Sequence, residues 1–132
     1  MINNRKMLEV QNPTIYMGNE LNQVNKEITK GMIRLAFCFP EVYEIGMSYL
    51  GMKILYNILN MREDTYCERV FAPKIDMEDM MRQNNIELYG LESKDSIKNF
   101  DFVTFTLQYE LTYTNILNML DLAKIDIYAK DR

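Results

Sequence analysis

The chain has 132 residues, 48% of them hydrophobic and 26% charged, which is the size and usage of one globular domain. That composition excludes a disordered chain. No apolar run reaches the roughly 18 residues a membrane-spanning helix needs. Fifteen basic residues stand against nineteen acidic ones, for a net charge of −4. Such a surface does not attract phosphate backbones and argues against nucleic-acid binding by charge alone.

The opening residues, MINNRKMLEVQNP, lack the apolar core of a secretory signal, so the expected compartment is the cytoplasm. Histidine is absent, which removes imidazole from any triad or catalytic zinc site. The two cysteines, Cys38 and Cys67, sit in apolar runs and read as buried small hydrophobes. A disulfide between them would require neighbouring strands and an oxidising compartment. Two thiols without histidine make neither a closed zinc site nor a four-cysteine cluster.

Residues 1–31 are polar and punctuated by Pro13, Gly18 and Gly31. They read as a lead-in segment packed on the domain, with a short helix in NELNQVNKEIT. The domain itself spans 32–132. Ile33–Phe39 is almost continuously apolar, as in a strand buried on both faces, and Pro40 ends it. The loop PEVYEIGM leads to a helix expected to start near Ser48 as N-cap. Its apolar stripe is Leu50, Ile54, Leu55, Ile58, Leu59 and Met61. Thr65–Phe71 is a second strand. Its Glu68 and Arg69 suit a sheet edge with access to solvent.

Beyond Pro73, Asp76 is the expected N-cap of a helix whose apolar face is Met77, Met80 and Met81. Asn84 and Asn85 end that helix. IELYGL is strand-like and ESKDSIKN a polar connector. Phe102–Leu107 predicts a third buried strand. A helix from about Thr112 follows, with Tyr113, Ile116, Leu117 and Leu120 as its apolar face. IDIY at 125–128 predicts one more strand. Alternating strands and helices indicate a three-layer Rossmann-like or flavodoxin-like α/β fold with a parallel sheet. The expected strand order is 2-1-3 with the further strand added.

Ligands of such sheets bind beyond the carboxyl ends of the strands, where the strand order reverses. That places a candidate cofactor-binding site between the loops after the first and third strands. It comprises Glu41, Tyr43, Glu44, Gly46, Met47 and Ser48, with Gln108, Tyr109, Glu110 and Thr112. Three carboxylates without a lysine or arginine repel phosphate. No Walker or G-x-G-x-x-G motif is present. A phosphorylated receiver would need aspartates where Pro40 and Gln108 stand. The glutamates also read as solvated loop charge, and Tyr43 and Tyr109 as packing residues. Of the eleven methionines, which read as core filler, Met47 alone is placed for a cofactor pocket.

The phrases IYMGNELNQVNKE, RLAFCFPEVYEIGMSYLGMKILYNILN, CERVFAPKIDME and FVTFTLQYELTYTNILNMLDLA carry a resemblance. They resemble the N-terminal, cobalamin-binding-like region of a radical S-adenosylmethionine (SAM) protein family. The resemblance implies a downstream radical domain of the same polypeptide as partner. Its CxxxCxxC motif would hold a 4Fe-4S cluster and cleave SAM; neither group is required in this fragment, which would not be catalytic by itself. It also implies cobalamin as a cofactor of this domain. The best-known cobalamin domains carry an Asp-x-His-x-x-Gly ligand motif after the first strand; the matching place here reads PEVYEIG, with Gly46 standing for the glycine and no histidine anywhere. Two readings stay open: cobalamin bound without a protein ligand, or a structural or substrate-docking module that binds no corrinoid. A sheet cut at its C-terminal edge further predicts self-association through that edge, or disorder of the last residues.

Overall fold

The computed structural model describes Met7–Asp131; Met1–Lys6 of the lead-in and Arg132 lie outside the described residues. Three parallel strands form one sheet in the order β2-β1-β3, with β1 at Ile33–Phe39, β2 at Thr65–Phe71 and β3 at Phe102–Phe105. The order is the predicted one. The helices are α1 (Tyr43–Ser48), α2 (Leu50–Asn60), α3 (Ile75–Gln83) and α4 (Tyr113–Leu122). Among the described residues no helix is long and apolar enough to cross a membrane.

Alternate residues of the strands feed two cores. Ala36, Cys38 and Val70 pack with Met77, Met80 and Met81 of α3 and Met119 and Leu122 of α4. Phe37, Phe39, Cys67 and Phe71 pack with Met52 and Tyr56 of α2. The helices therefore cover opposite faces. Right-handed crossovers require this: β1–α2–β2 steps one way along the sheet, and β2–α3–β3 steps back across β1.

The cysteines lie on neighbouring strands but belong to different cores, and the register sets Cys38 opposite Val70 and Cys67 opposite Leu35. They are free thiols. Burial pushes both thiols up, Cys67 to about 12, so neither is a reactive thiolate. The folded protein is expected to leave both unmodified by an aromatic disulfide reagent until denaturant is added. Rapid native-state release of two thiolate equivalents would refute this placement.

Several elements differ from expectation. The helix foreseen at Ser48 is two: α1 already occupies Tyr43–Ser48, and the Ser48 hydroxyl donates back to the Ile45 carbonyl at 2.7 Å instead of capping α2. α3 starts at Ile75, so Asp76 sits in its first turn and accepts from the Gln11 N–H at 2.8 Å. The predicted lead-in helix is absent: Gly18 and Asn19 take positive φ, and a 3-10 turn lies at Pro13–Tyr16 instead. IELYGL contributes an isolated antiparallel bridge, Tyr89 to Ser96, outside the sheet. Residues 125–128 form no strand, so among the described residues the sheet has three. Lys124 at φ +56 turns the chain, and Ile125 folds back onto the core.

Burial is also exchanged between the outer strands. β2 is buried at all seven positions. Its outer edge is covered by the segment around Leu91 and Glu92: the Leu91 N–H donates to the Arg69 carbonyl and the Arg69 N–H to Glu92. β3 has no buried position. Finally, the α2 stripe faces outward. Leu50 (67%), Ile54 (49%), Leu55 (49%) and Ile58 (53%) are exposed, while Met52, Tyr56 and Asn60 face the sheet.

Candidate functional site

The structure divides the ten candidate residues. At the β1/β3 ends, the Tyr109 hydroxyl donates to Glu41, and Asn115 of α4 donates to the Pro40 carbonyl at 2.8 Å. The hydrogen bond to Glu41 holds the Tyr109 phenol up. Thr112 is buried, its hydroxyl donating to the Tyr109 carbonyl at 2.8 Å. Gln108 and Glu110 are exposed beside them. These contacts tie the two loops together across the switch point.

Tyr43, Glu44, Gly46 and Met47 turn toward β2 and the segment after it, while Ser48 is exposed. Glu44 pairs with Lys74, which lowers its carboxyl. The Tyr43 hydroxyl donates to Glu20 at 2.9 Å, and burial, then that bond, pushes it up to about 12. Gly46 and Met47 line a cleft of about 640 Å³ together with Glu20, Val24, Tyr56 and Arg69. Gly46 is dictated by packing: a Cβ there would overlap the Phe71 ring and lie 3.1 Å from Phe39. Gly46→Ala is expected to cost about 1–3 kcal/mol by overpacking. A urea unfolding midpoint equal to that of the parent would contradict it.

The cleft floor holds residues that sequence reasoning placed at a solvated edge. Arg69, 6% exposed, donates from Nε to Glu92 at 2.6 Å and from Nη2 to Glu20 at 2.7 Å. Its guanidinium carbon lies 4.8 Å from the centre of the Tyr56 ring. Nη1 faces the Met47 sulfur at 3.4 Å. Across the sheet, Arg34 donates to fully buried Glu68 at 2.7 Å. The readable signal was compensation: opposite charges at Arg34, Glu68, Arg69 and Glu92, within apolar surroundings, indicate buried pairs rather than a wet face.

Among the described residues no group of three His, Cys, Asp or Glu side chains could hold a metal ion. The donor set offers no free side-chain ligand for a corrinoid's cobalt. It offers carboxylates and phenols engaged with one another, no imidazole, and a glycine whose missing side chain is filled by Phe71.

The family of radical SAM proteins, N-terminal, matches residues 51–132. The chain is also similar to an uncharacterized protein of Methanocaldococcus jannaschii, 32% identical over 91 residues, which is 68% of this chain and 16% of that protein. The chain thus spans a small part of that relative's length. No solved structure matches. With a parallel β2-β1-β3 sheet carrying the matched residues from α2 onward, the chain belongs to the family of radical SAM protein N-terminal regions.

Proposed function

We propose that this chain is the docking module of a radical SAM enzyme. It binds the part that carries the 4Fe-4S cluster and SAM, performs no chemistry itself and holds no corrinoid. One observation carries the reading. Glu41, Tyr43, Glu44 and Tyr109 of the candidate site, and Arg69 on the cleft floor, are engaged in structural pairs, whereas large apolar side chains of α2, β3 and α4 stand in solvent. A catalytic or cofactor site inverts that arrangement, with poised polar groups in an apolar hollow, while a broad exposed apolar patch marks a protein contact.

The test has two arms. The chain is mixed with the radical SAM region and followed by calorimetry and co-elution, and it is titrated with cobalamin while absorbance is read. Association with the radical region, and an unchanged corrinoid spectrum at high micromolar ligand, are expected. A stoichiometric corrinoid complex would overturn the reading and favour the cofactor-domain alternative that the family resemblance implies. Failure to associate with the radical region would overturn it as well.

A further inference from the structure

The cleft over the α2 face of β2 is held open by fixed walls. One wall is the lead-in from Glu20 to Val24, and the other is α2 with Met52, Lys53 and Tyr56. Glu20 accepts from Arg69 and from the Tyr43 hydroxyl, and the Val24 N–H donates to the Tyr56 hydroxyl at 2.9 Å. Met52 is buried, and Val24 and Met47 pack against the same core. At about 640 Å³ the hollow has the size of a small-molecule site. It is separate from the β1/β3 strand ends, where Tyr109 meets Glu41.

Two cations in this cleft are short of partners. Arg69 carries five N–H donors in a planar fork. Nε goes to Glu92, Nη2 goes to Glu20, and the Tyr56 ring lies 4.8 Å from the guanidinium carbon. Among the described residues Nη1 meets only the Met47 sulfur, at 3.4 Å, and a thioether is a weak acceptor. Buried donors ordinarily reach an oxygen. Lys53, exposed on the α2 wall, pairs with no acid among the described residues.

The two donors call for different oxygens. Glu20 and Glu92 already share the Arg69 guanidinium, so a third carboxylate at Nη1 would be repelled. A neutral carbonyl oxygen is not repelled and accepts a charge-assisted bond. Lys53 has no such neighbours and suits a carboxylate. Between them the lining is apolar, with Val24, Met47 and Met52, and thioethers adapt to aliphatic shapes. An acyl carbonyl, an aliphatic side chain and a carboxylate occur together in an N-acyl amino acid, either free or as the carboxyl end of a polypeptide.

We infer that this cleft binds an N-acyl amino acid with an aliphatic side chain. Its acyl carbonyl accepts from Arg69 Nη1, its side chain lies on Met47 and Met52, and its carboxylate faces Lys53. The inference goes beyond the docking reading and stands whether or not a radical SAM region associates.

Titration of the chain with N-acetyl-L-leucine, read by NMR of isotope-labelled methionine methyl groups, tests it. Saturable shifts are expected at Met47 and Met52, while Met77 and Met81 of the opposite core stay in place. N-acetyl-L-leucinamide lacks the carboxylate and L-leucine lacks the acyl carbonyl, so each is expected to bind several-fold more weakly. Lys53→Glu is expected to weaken N-acetyl-L-leucine several-fold and, at an exposed position, to leave the unfolding midpoint unchanged. A pentapeptide ending in leucine separates the two sources: tighter binding than N-acetyl-L-leucine assigns a chain end, and weaker binding a free acid. No saturable shift at millimolar ligand, or shifts spread equally over both cores, would overturn the inference. Equal binding of the acid and the amide, undiminished in Lys53→Glu, would overturn the ligand class.

Discussion

Replacing Arg69 with leucine is expected to cost about 3–5 kcal/mol of folding stability near neutral pH, and to cost less in acid. Arg69 compensates Glu92, whose side chain is fully buried, and Glu20, at the edge of the cleft. Leucine fills much of the volume but leaves the Glu92 carboxylate without its guanidinium. Burial already raises the Glu92 carboxyl in the intact protein, with Glu68 adding to the rise and Arg69 opposing it. Lys94 also lies near this cluster, and burial lowers its ammonium. A carboxyl raised on folding binds protons more tightly in the native state than in the unfolded one. Its contribution is therefore most favourable below its unfolded pKa and is lost as pH rises from there through the folded value. Without Arg69 that rise is larger, so the variant should recover part of its loss as pH falls through the carboxylate range. Urea unfolding of both proteins at about pH 7 and about pH 5 measures this. A difference in stability that is the same at both values would show that Glu92 is not the group left stranded. Arg69→Lys keeps the charge but not the fork that engages Glu92 and Glu20 together, and should fall between the two.

That cluster also explains where sequence reasoning succeeded and failed. Strand order was legible because β1 is apolar at six of its seven positions, IRLAFCF, and a central strand must be covered on both faces. The same logic misread β2. Its Glu68 and Arg69 were assigned to solvent, because periodicity records polarity and not whether an opposite charge from elsewhere will arrive. Arg34 comes from β1 and Glu92 from the turn that the Tyr89–Ser96 bridge closes. Neither is near β2 in sequence. Covering that edge moved solvent access to β3.

The stripe of α2 is legible in the sequence, but which side of the helix meets the sheet is not. Leu50, Ile54 and Ile58 recur at helical spacing, but so do Met52, Tyr56 and Asn60, which face the sheet. A helix apolar around most of its circumference is buried on more than one side, and a single domain offers only one. The candidate site was half legible. Strand ends and the switch point brought Glu41 and Tyr109 together. The local turn of α1, which carries Tyr43, Gly46 and Met47 toward β2, depends on packing against Phe71 that no local spacing records.

Glu68→Ala is the second large effect, again about 3–5 kcal/mol, with a different structural readout. Glu68 is fully buried on the α3 face of β2. It accepts from Arg34 Nη2 at 2.7 Å and from the Ser93 N–H at 2.9 Å, and a Cβ on Gly90 would come within 2.5 Å of its Oε2. Removing the carboxylate strands Arg34, which lies 4.1 Å from the Phe100 ring centre and keeps half-exposed Asp95 as its remaining acid. It also orphans the Ser93 amide and opens a void beside Gly90. By contrast Asp95→Ala removes only a solvent-screened pair and should cost less than about 1 kcal/mol. The pair itself need not stabilise the fold: Arg34→Met with Glu68→Leu, which removes both charges and keeps volume, should recover most of the loss. What that double variant should not recover is order in the 90–95 segment, since leucine cannot hold the Ser93 N–H. Amide exchange at Ser93, and at Leu91 where the segment bonds to the Arg69 carbonyl, should stay fast in the double variant despite restored stability. Slow exchange there would mean that packing alone seats the segment over β2 and that Glu68 contributes no positioning.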